Sequence, residues 1–482
     1  MKIEIRNFGP VKSFAFDLER PMHLIVGTNN IGKSYALTAY YLAICSLLES
    51  RALMMNVFSQ IELIDSDLNF NESLEKTYKK KLKDDPSQDI DIKRFFEESA
   101  KETFDKTIAA AFNEKIESSY SGFKSILNRR NKTSPCAIHF ELPGIQFTLE
   151  NDGEGFKTTS LTYTLKVLSV APAETKRKIA KTVVYHRKSN DPTKSIKEIR
   201  MSSIAQAFAS IVVPAANISN IYYLPASRSG LYQALSSFGA IIAELSKKRT
   251  FLNSKIELPG ISWQLSEYYL KLTEINEKTY IYDPECFHEK IAKKIEADIL
   301  KGRIVFESNT KKLYYIPDNT DLRLELSATS SMVSEIGPIV AYIRYILSAE
   351  SVQDKAVAAA LTRTSLKEKV AAPILIIEEP EAHLHPENQI KMTEIYAELS
   401  NFGVKIIMTS HSNYVFNKLS NIVISKTLAA DNVKCDIFEE TDEGTVGLAL
   451  DINEFGLDDQ NFVDASEKLL NEKMELFSNI EF

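Results

Sequence analysis

Met22-His23-Leu24-Ile25-Val26-Gly27-Thr28-Asn29-Asn30-Ile31-Gly32-Lys33-Ser34 decides the fold. The first five residues form a short apolar run that reads as a buried strand. It opens directly into the pattern GxxxxGKS, after which Tyr35 to Leu48 continues as an apolar helix. Strand, glycine-bearing loop and helix in that order make a phosphate cradle. Gly27 and Gly32 permit backbone angles and close approach, so the amides of the loop, those of Asn29, Asn30 and Ile31 included, and the helix N-terminus can point at anionic oxygens. Lys33 supplies charge at the β- and γ-phosphates, and Ser34 supplies a hydroxyl for Mg²⁺. An ordinary glycine-containing turn does not account for Lys33-Ser34.

A phosphate cradle hydrolyses nothing alone; it needs a carboxylate for the metal and another for the attacking water. More than three hundred residues further on, Ala371-Ala372-Pro373-Ile374-Leu375-Ile376-Ile377 is a continuous apolar run of the kind buried on both faces of a parallel sheet. It ends in Glu378-Glu379-Pro380-Glu381. Carboxylates leaving such a strand sit at the sheet edge where nucleotides bind, with Glu378 as the metal-side acid and Glu379 as the general base. A glutamate pair after a strand can also simply complement a helix dipole. Val404-Lys405-Ile406-Ile407-Met408-Thr409 reads as a further buried strand ending in Ser410-His411-Ser412. His411 is there either a γ-phosphate contact or a structural hydrogen-bonder.

The order of these elements, together with Leu326-Ser327-Ala328-Thr329-Ser330-Ser331 and Glu379-Pro380-Glu381-Ala382-His383-Leu384-His385-Pro386, resembles the ATPase head of ABC and SMC proteins. Within that group it is most similar to the prokaryotic ATPases related to the overcoming-lysogenisation-defect family, which serve in anti-phage systems such as Septu, PARIS and some retrons. The resemblance covers roughly residues 1–45 and 215–425. It implies an α/β head with a mixed sheet, ATP and Mg²⁺ as its ligands, and a homodimer or higher oligomer formed through the ATP sites. It also implies that Ser330 and Ser331 bind the γ-phosphate of a second copy, that Glu379 polarises water, and that His411 is a switch histidine. A separate nuclease or toxin effector would be the controlled partner. Two positions depart from the pattern: the signature lacks paired glycines, and Glu378 stands where Asp is usual. The segment through His383 and His385 falls at the implied dimer interface rather than at a metal site. Ile221 to Gly230 resembles a recurrent strand and turn of these ATPases, or is no more than a strand ending in an Arg-anchored turn.

The expected organisation is a head split by an insertion: 1–45 with the P-loop, 46–214 as a helical arm followed by strands, 215–430 with signature, glutamates and histidine, and 431–482 as an acidic end. In the insertion an apolar residue recurs every fourth position from Phe96 through Ala100, Phe104, Ile108, Phe112 and Ile116 to Tyr120, with Gly122 as the stop. That predicts a helix packing on its own domain, or one that binds a partner. Residues 174–200 carry nine bases against three acids, a candidate nucleic-acid segment or a solvated loop, and residues 431–482 carry fifteen acids against three bases. The acidic end is too short for a Toprim nuclease and reads as a dock.

Composition fits a folded chain. Hydrophobic residues are 44% and charged residues 26% of 482, and net charge is −7, which gives no global basic footprint for nucleic acid. Four scattered cysteines without a CxxC pair exclude a cysteine zinc site and point to a reducing compartment. With no apolar run near the length of a membrane span and charges at the start, the expectation is a cytoplasmic protein with no membrane contact. The rivals to an effector-controlling ATPase are a DNA repair or recombination ATPase binding duplex, and a nucleotide-locked scaffold with negligible hydrolysis.

Overall fold

The computed structural model describes residues 1–57, 72–84, 89–164, 166–170, 182–186, 191–196, 198–199, 201–202, 217–234, 261–275, 283–348, 371–457 and 465–478. Most of the basic segment 174–200, including Lys176, Arg177, Lys178, Lys181, Arg187, Lys188, Lys197 and Arg200, lies outside the described residues.

The fold is α/β, built on a mixed sheet as expected for an ABC-type P-loop ATPase head. Among the described residues eleven strands join in the order Ile218–Leu224, Ala372–Glu378, Lys405–Ser410, Met22–Val26, Val433–Thr441, Gly444–Ala449, Val11–Asp17, Lys2–Phe8, Cys136–Leu142, Ile145–Asn151 and Phe156–Tyr163. The first five are parallel, and the three at their centre, Ala372–Glu378, Lys405–Ser410 and Met22–Val26, are the ones that read as apolar runs. The last five form an antiparallel series. The strands of residues 136–163 thus continue the sheet that holds the P-loop strand, and Val433–Thr441 hydrogen-bonds directly to that strand. A buried polar contact fixes this last pairing: His23 Nε2 lies 2.5 Å from Asp436 Oδ2, and Lys434 Nζ lies 2.8 Å from the same oxygen.

Side-chain alternation along the parallel strands feeds two cores. Ile25, Ile374, Ile376 and Ile407 face one side, where the Lys33–Val57 helix packs. Leu24, Val26, Leu375, Ile377, Ile406 and Met408 face the other, under the helices Phe287–Ile295, Ser331–Ala341, Pro386–Asn401 and Asn413–Ile424. On that second side Arg344 donates to Glu289 and Glu296, each at 2.7 Å, locking the continuation of the Ser331–Ala341 helix to its neighbour.

The helix expected from the fourfold spacing is present as Lys93–Phe104, a π-helical turn Asp105–Ala109, and Ala110–Ser119. The π turn has a physical reason. A repeat of four exceeds the 3.6 residues of an α-turn by about 40° per step, so an unbroken α-helix would wind the stripe off the core. One wider turn resets it, and Phe96, Ala100, Phe104, Ile108, Phe112 and Ile116 are all buried in the first core. The helix stops at Ser119, before Gly122, because Tyr120 is already extended. Phe104 and Phe112 meet Phe147 and Phe156 of the sheet edge-on, each with centroids 4.9 Å apart. Phe104→Ala is therefore expected to cost about 3–5 kcal/mol of stability, read as a lowered denaturant midpoint; an unchanged midpoint would contradict this packing.

Candidate active site

Parallel register brings the strand ends together. Glu378 pairs with Thr409, Thr409 with Ile25, and Ser410 with Val26, so the chain after each strand leaves from one row. The Lys405–Ser410 strand stands between the P-loop strand and the Ala372–Glu378 strand, which puts His411 between Lys33 and the glutamates.

The loop itself uses glycine where it must. Gly27 has φ 149° and Gly32 φ 102°, and a Cβ on Gly32 would meet Pro10 Cγ at 2.8 Å. Lys33 Nζ donates to the carbonyls of Gly27 at 2.9 Å and Thr28 at 2.8 Å and lies 3.4 Å from His411 Nδ1. The lysine is only 6% exposed. Burial pushes its ammonium down to about 8, opposed by the charges of Glu379, Glu381 and Glu378, so it remains protonated at neutral pH. Thr28, Asn29 and Asn30 are exposed at the mouth of the loop.

Glu378 closes its strand at 8% exposure. Burial raises its carboxyl above the usual range, countered by hydrogen bonds from the Ser34 and Tyr223 hydroxyls and the Ala226 amide. Its Oε1 is buried with no hydrogen-bond partner. A buried carboxylate oxygen without a partner, beside a serine hydroxyl at a phosphate cradle, fits a hard divalent cation such as Mg²⁺. Glu379 differs in environment and charge. It is half-buried, and the hydrogen bond from His411 holds its carboxyl below the usual range, aided by the charges of Lys33 and Arg228. His411 Nε2 lies 3.5 Å from Glu379 Oε1. The histidine thus bridges Lys33 and Glu379.

Every side chain of Ser410-His411-Ser412 has a partner. Ser410 Oγ and the His411 amide donate to Glu381 Oε1 at 2.8 and 2.6 Å. Ser412 caps the Asn413–Ile424 helix and donates to Gln389 Oε1 at 2.5 Å. His385 caps Pro386–Asn401 through Nδ1, and among the described residues no His/Cys/Asp/Glu group suited to a metal is found. Ser330 and Ser331 stand apart from this cluster. Both are exposed at the N-terminus of the Ser331–Ala341 helix, where Ser330 Oγ accepts from the Val333 amide. Neither hydroxyl hydrogen-bonds to residues 27–34.

Three contributors are absent from a motif reading: Tyr223 on the Glu378 carboxylate, Glu381 under the His411 turn, and Arg228, which donates to the backbone carbonyls of both Glu378 and Glu379. Glu381, third in Glu379-Pro380-Glu381, carried a signal as one more acid at a strand end, and Tyr223 and Arg228 lie in the Ile221 to Gly230 stretch read as a strand and an Arg-anchored turn, with no contact to the glutamates indicated.

A family model described as AAA ATPase domain matches residues 1–416. The chain belongs to the AAA ATPase domain family. Lys33, Glu378, Glu379, His411, Ser330 and Ser331 of this AAA ATPase all fall within the matched residues. Among solved structures, the chain is similar to an Smc head bound to the C-winged helix domain of ScpA, at 12% identity and TM-score 0.38, over 94% of this chain and 98% of that one. It is similar to a Pyrococcus furiosus Smc head with an extended coiled coil bound to the C-terminal domain of ScpA, at 12% identity and TM-score 0.37, over 98% of each chain. A third is the SMC head from Thermotoga maritima, at 10% identity and TM-score 0.32, over 94% of this chain and 98% of that one. No curated protein matches the chain. Among the described residues no helix is long and apolar enough to cross a membrane.

Proposed function

We propose that this AAA ATPase is an ABC-type, Mg²⁺-dependent ATP hydrolase of the cytoplasm that dimerises through nucleotide and controls a separate nuclease or toxin effector in anti-phage defence. The observation that carries the ATPase reading is the row of Lys33, His411 and Glu379 at one sheet edge, with the unpartnered Oε1 of Glu378 beside Ser34.

The chemistry follows from those atoms. The amides of residues 27–32, the helix N-terminus and the Lys33 ammonium hold the β- and γ-phosphate oxygens. Ser34 and Glu378 would hold Mg²⁺, whose charge, when bound, offsets that of the phosphates. Glu379, ionised at neutral pH, orients water in line with the γ-phosphorus and takes its proton. The water oxygen bonds to phosphorus, the bond to the β-phosphate bridging oxygen breaks, and ADP leaves with the electron pair. His411 Nε2–H lies beside Glu379 and can donate to a γ-phosphate oxygen, stabilising charge where it develops. His411→Ala is expected to lower kcat about 10–100-fold with ATP affinity little changed, measured by phosphate release and equilibrium nucleotide binding; an unchanged kcat would return His411 to a structural role.

Exposure of Ser330 and Ser331 at a helix N-terminus supports the second half of the reading, because an open N-terminus can accept the γ-phosphate of another copy. The head proper then takes in 1–45 and 215–449, because Val433–Thr441 and Gly444–Ala449 are strands of its sheet, the strands of 136–163 extend that sheet from within the insertion, and the acidic dock for the effector is confined to 450–482. The experiment is capture of Glu379→Gln and wild-type protein from the native host, followed by mass spectrometry. A co-purifying small nuclease, toxin or reverse transcriptase is expected. Recovery of chromosomal DNA and repair factors alone would overturn the effector reading in favour of a recombination ATPase that binds through residues 174–200.

A further inference from the structure

Arg228 is among the largest fully buried side chains, at 1% exposure. It opens the helical residues that follow the Ile218–Leu224 strand, and its fork of donors is spread over three separate pieces of chain. Nη1 donates to the carbonyls of Pro225 at 3.0 Å and Glu378 at 2.8 Å, and Nη2 donates to that of Glu379 at 3.3 Å. Nε donates to the Glu335 carbonyl at 3.3 Å and lies 3.2 Å from Glu335 Oε2. Glu335 belongs to the Ser331–Ala341 helix, just inside the exposed N-terminus that carries Ser330 and Ser331. Its other oxygen, Oε1, accepts from the Ser229 amide at 3.2 Å and the Ser229 hydroxyl at 2.5 Å.

Two facts argue that this arrangement does more than stabilise the fold. First, Glu379 has φ 44°, a left-handed conformation that costs an L-residue about 1–2 kcal/mol and persists only where its surroundings hold it. The holding contacts are its own amide's bond to the Thr409 carbonyl at 3.1 Å and, on its carbonyl, the Ala382 amide at 3.0 Å and the Arg228 donor at 3.3 Å. Second, a buried Arg–Glu pair is often no more stable than apolar side chains of the same volume. Its geometric content is what an apolar cluster lacks: a planar guanidinium fixes the relative positions of all its acceptors.

We propose that Arg228 is a positioning residue that holds the Glu378-Glu379 backbone in its working conformation and, through Glu335, ties that conformation to the helix N-terminus bearing Ser330 and Ser331. This rests on the reading of Glu379 as the base. In a dimer where that N-terminus meets the nucleotide of a second copy, the same link carries the state of one ATP site to the glutamate of the other.

The test uses the full chain as wild type, Arg228→Lys, Glu379→Gln and the double variant, with phosphate release in single turnover, equilibrium binding of a fluorescent ATP analogue, and thermal melting. Lysine keeps the charge but cannot reach Glu335 and both glutamate carbonyls at once. Arg228→Lys is expected to lower kcat about tenfold or more with nucleotide affinity within about twofold, and to add no further loss in the Glu379→Gln background. Wild-type kcat in Arg228→Lys, or a loss that adds fully to that of Glu379→Gln, overturns the proposal while leaving Glu379 as base. Undiminished turnover in Glu379→Gln overturns the base reading and this proposal with it. If Arg228→Lys fails to fold, Ser229→Ala takes its place, since it removes the hydroxyl that orients Glu335 Oε1 while leaving the Ser229 amide and the Arg228 pair in place. A roughly threefold lower kcat with unchanged affinity and melting is then expected, and an unchanged kcat overturns the link.

Discussion

Glu379→Gln is expected to lower kcat for ATP hydrolysis by about 10²–10³-fold while leaving ATP affinity within about twofold. The carboxylate is held in its ionised form and is open to solvent. The hydrogen bond from His411 and the charges of Lys33 and Arg228 hold its carboxyl low, and its side chain is 43% exposed. Glutamine keeps the shape and can keep the contact with His411, but it has no basic oxygen with which to accept a proton from water. Glu378 cannot replace it, because burial raises that carboxyl and its Oε1 faces no solvent. Phosphate release and nucleotide binding measured on the same preparation check the split. Equal loss of binding and turnover would mean that Glu379 holds nucleotide rather than activating water.

Lys33→Ala should weaken ATP binding about a hundredfold or more, since removing one partner of a buried charge contact costs about 2–5 kcal/mol. Lys33 Nζ already points into the loop, held by two loop carbonyls, so the charge stands ready before nucleotide arrives. The fold should survive the substitution, because Thr28 is exposed and water can reach the loop. Calorimetric titration with ATP and a thermal melt distinguish the outcomes. Nearly unchanged affinity would remove Lys33 from the phosphate site, and a collapsed melt would make it a structural lysine.

How far the site was legible follows from what sequence patterns encode. Apolar runs ending in glycine, glutamate or histidine mark buried strands and what leaves their ends, so the P-loop, Glu378-Glu379 and His411 could be placed at one sheet edge. Periodicity marks burial without naming neighbours. Nothing in the acid-rich stretch after Asp431 indicates that Val433–Thr441 pairs with the P-loop strand, or that Lys434 and Asp436 meet His23 there. Side-chain contacts to backbone carbonyls leave no spacing rule either, and Arg228 acts through such contacts. The fourfold stripe of Phe96 to Tyr120 predicted a helix that packs on its own domain or binds a partner; the structure buries it in the first core, with a π turn that the excess of four over 3.6 explains.

The claim that nucleotide both joins two copies and is destroyed at the joint is tested most directly by sedimentation velocity of wild type and Glu379→Gln, each with Mg²⁺ and ATP, ADP or no nucleotide. The account predicts monomer without nucleotide and with ADP, a transient dimer of wild type with ATP that decays as ATP is consumed, and a persistent dimer of Glu379→Gln. The same mass for both proteins in every condition would contradict it.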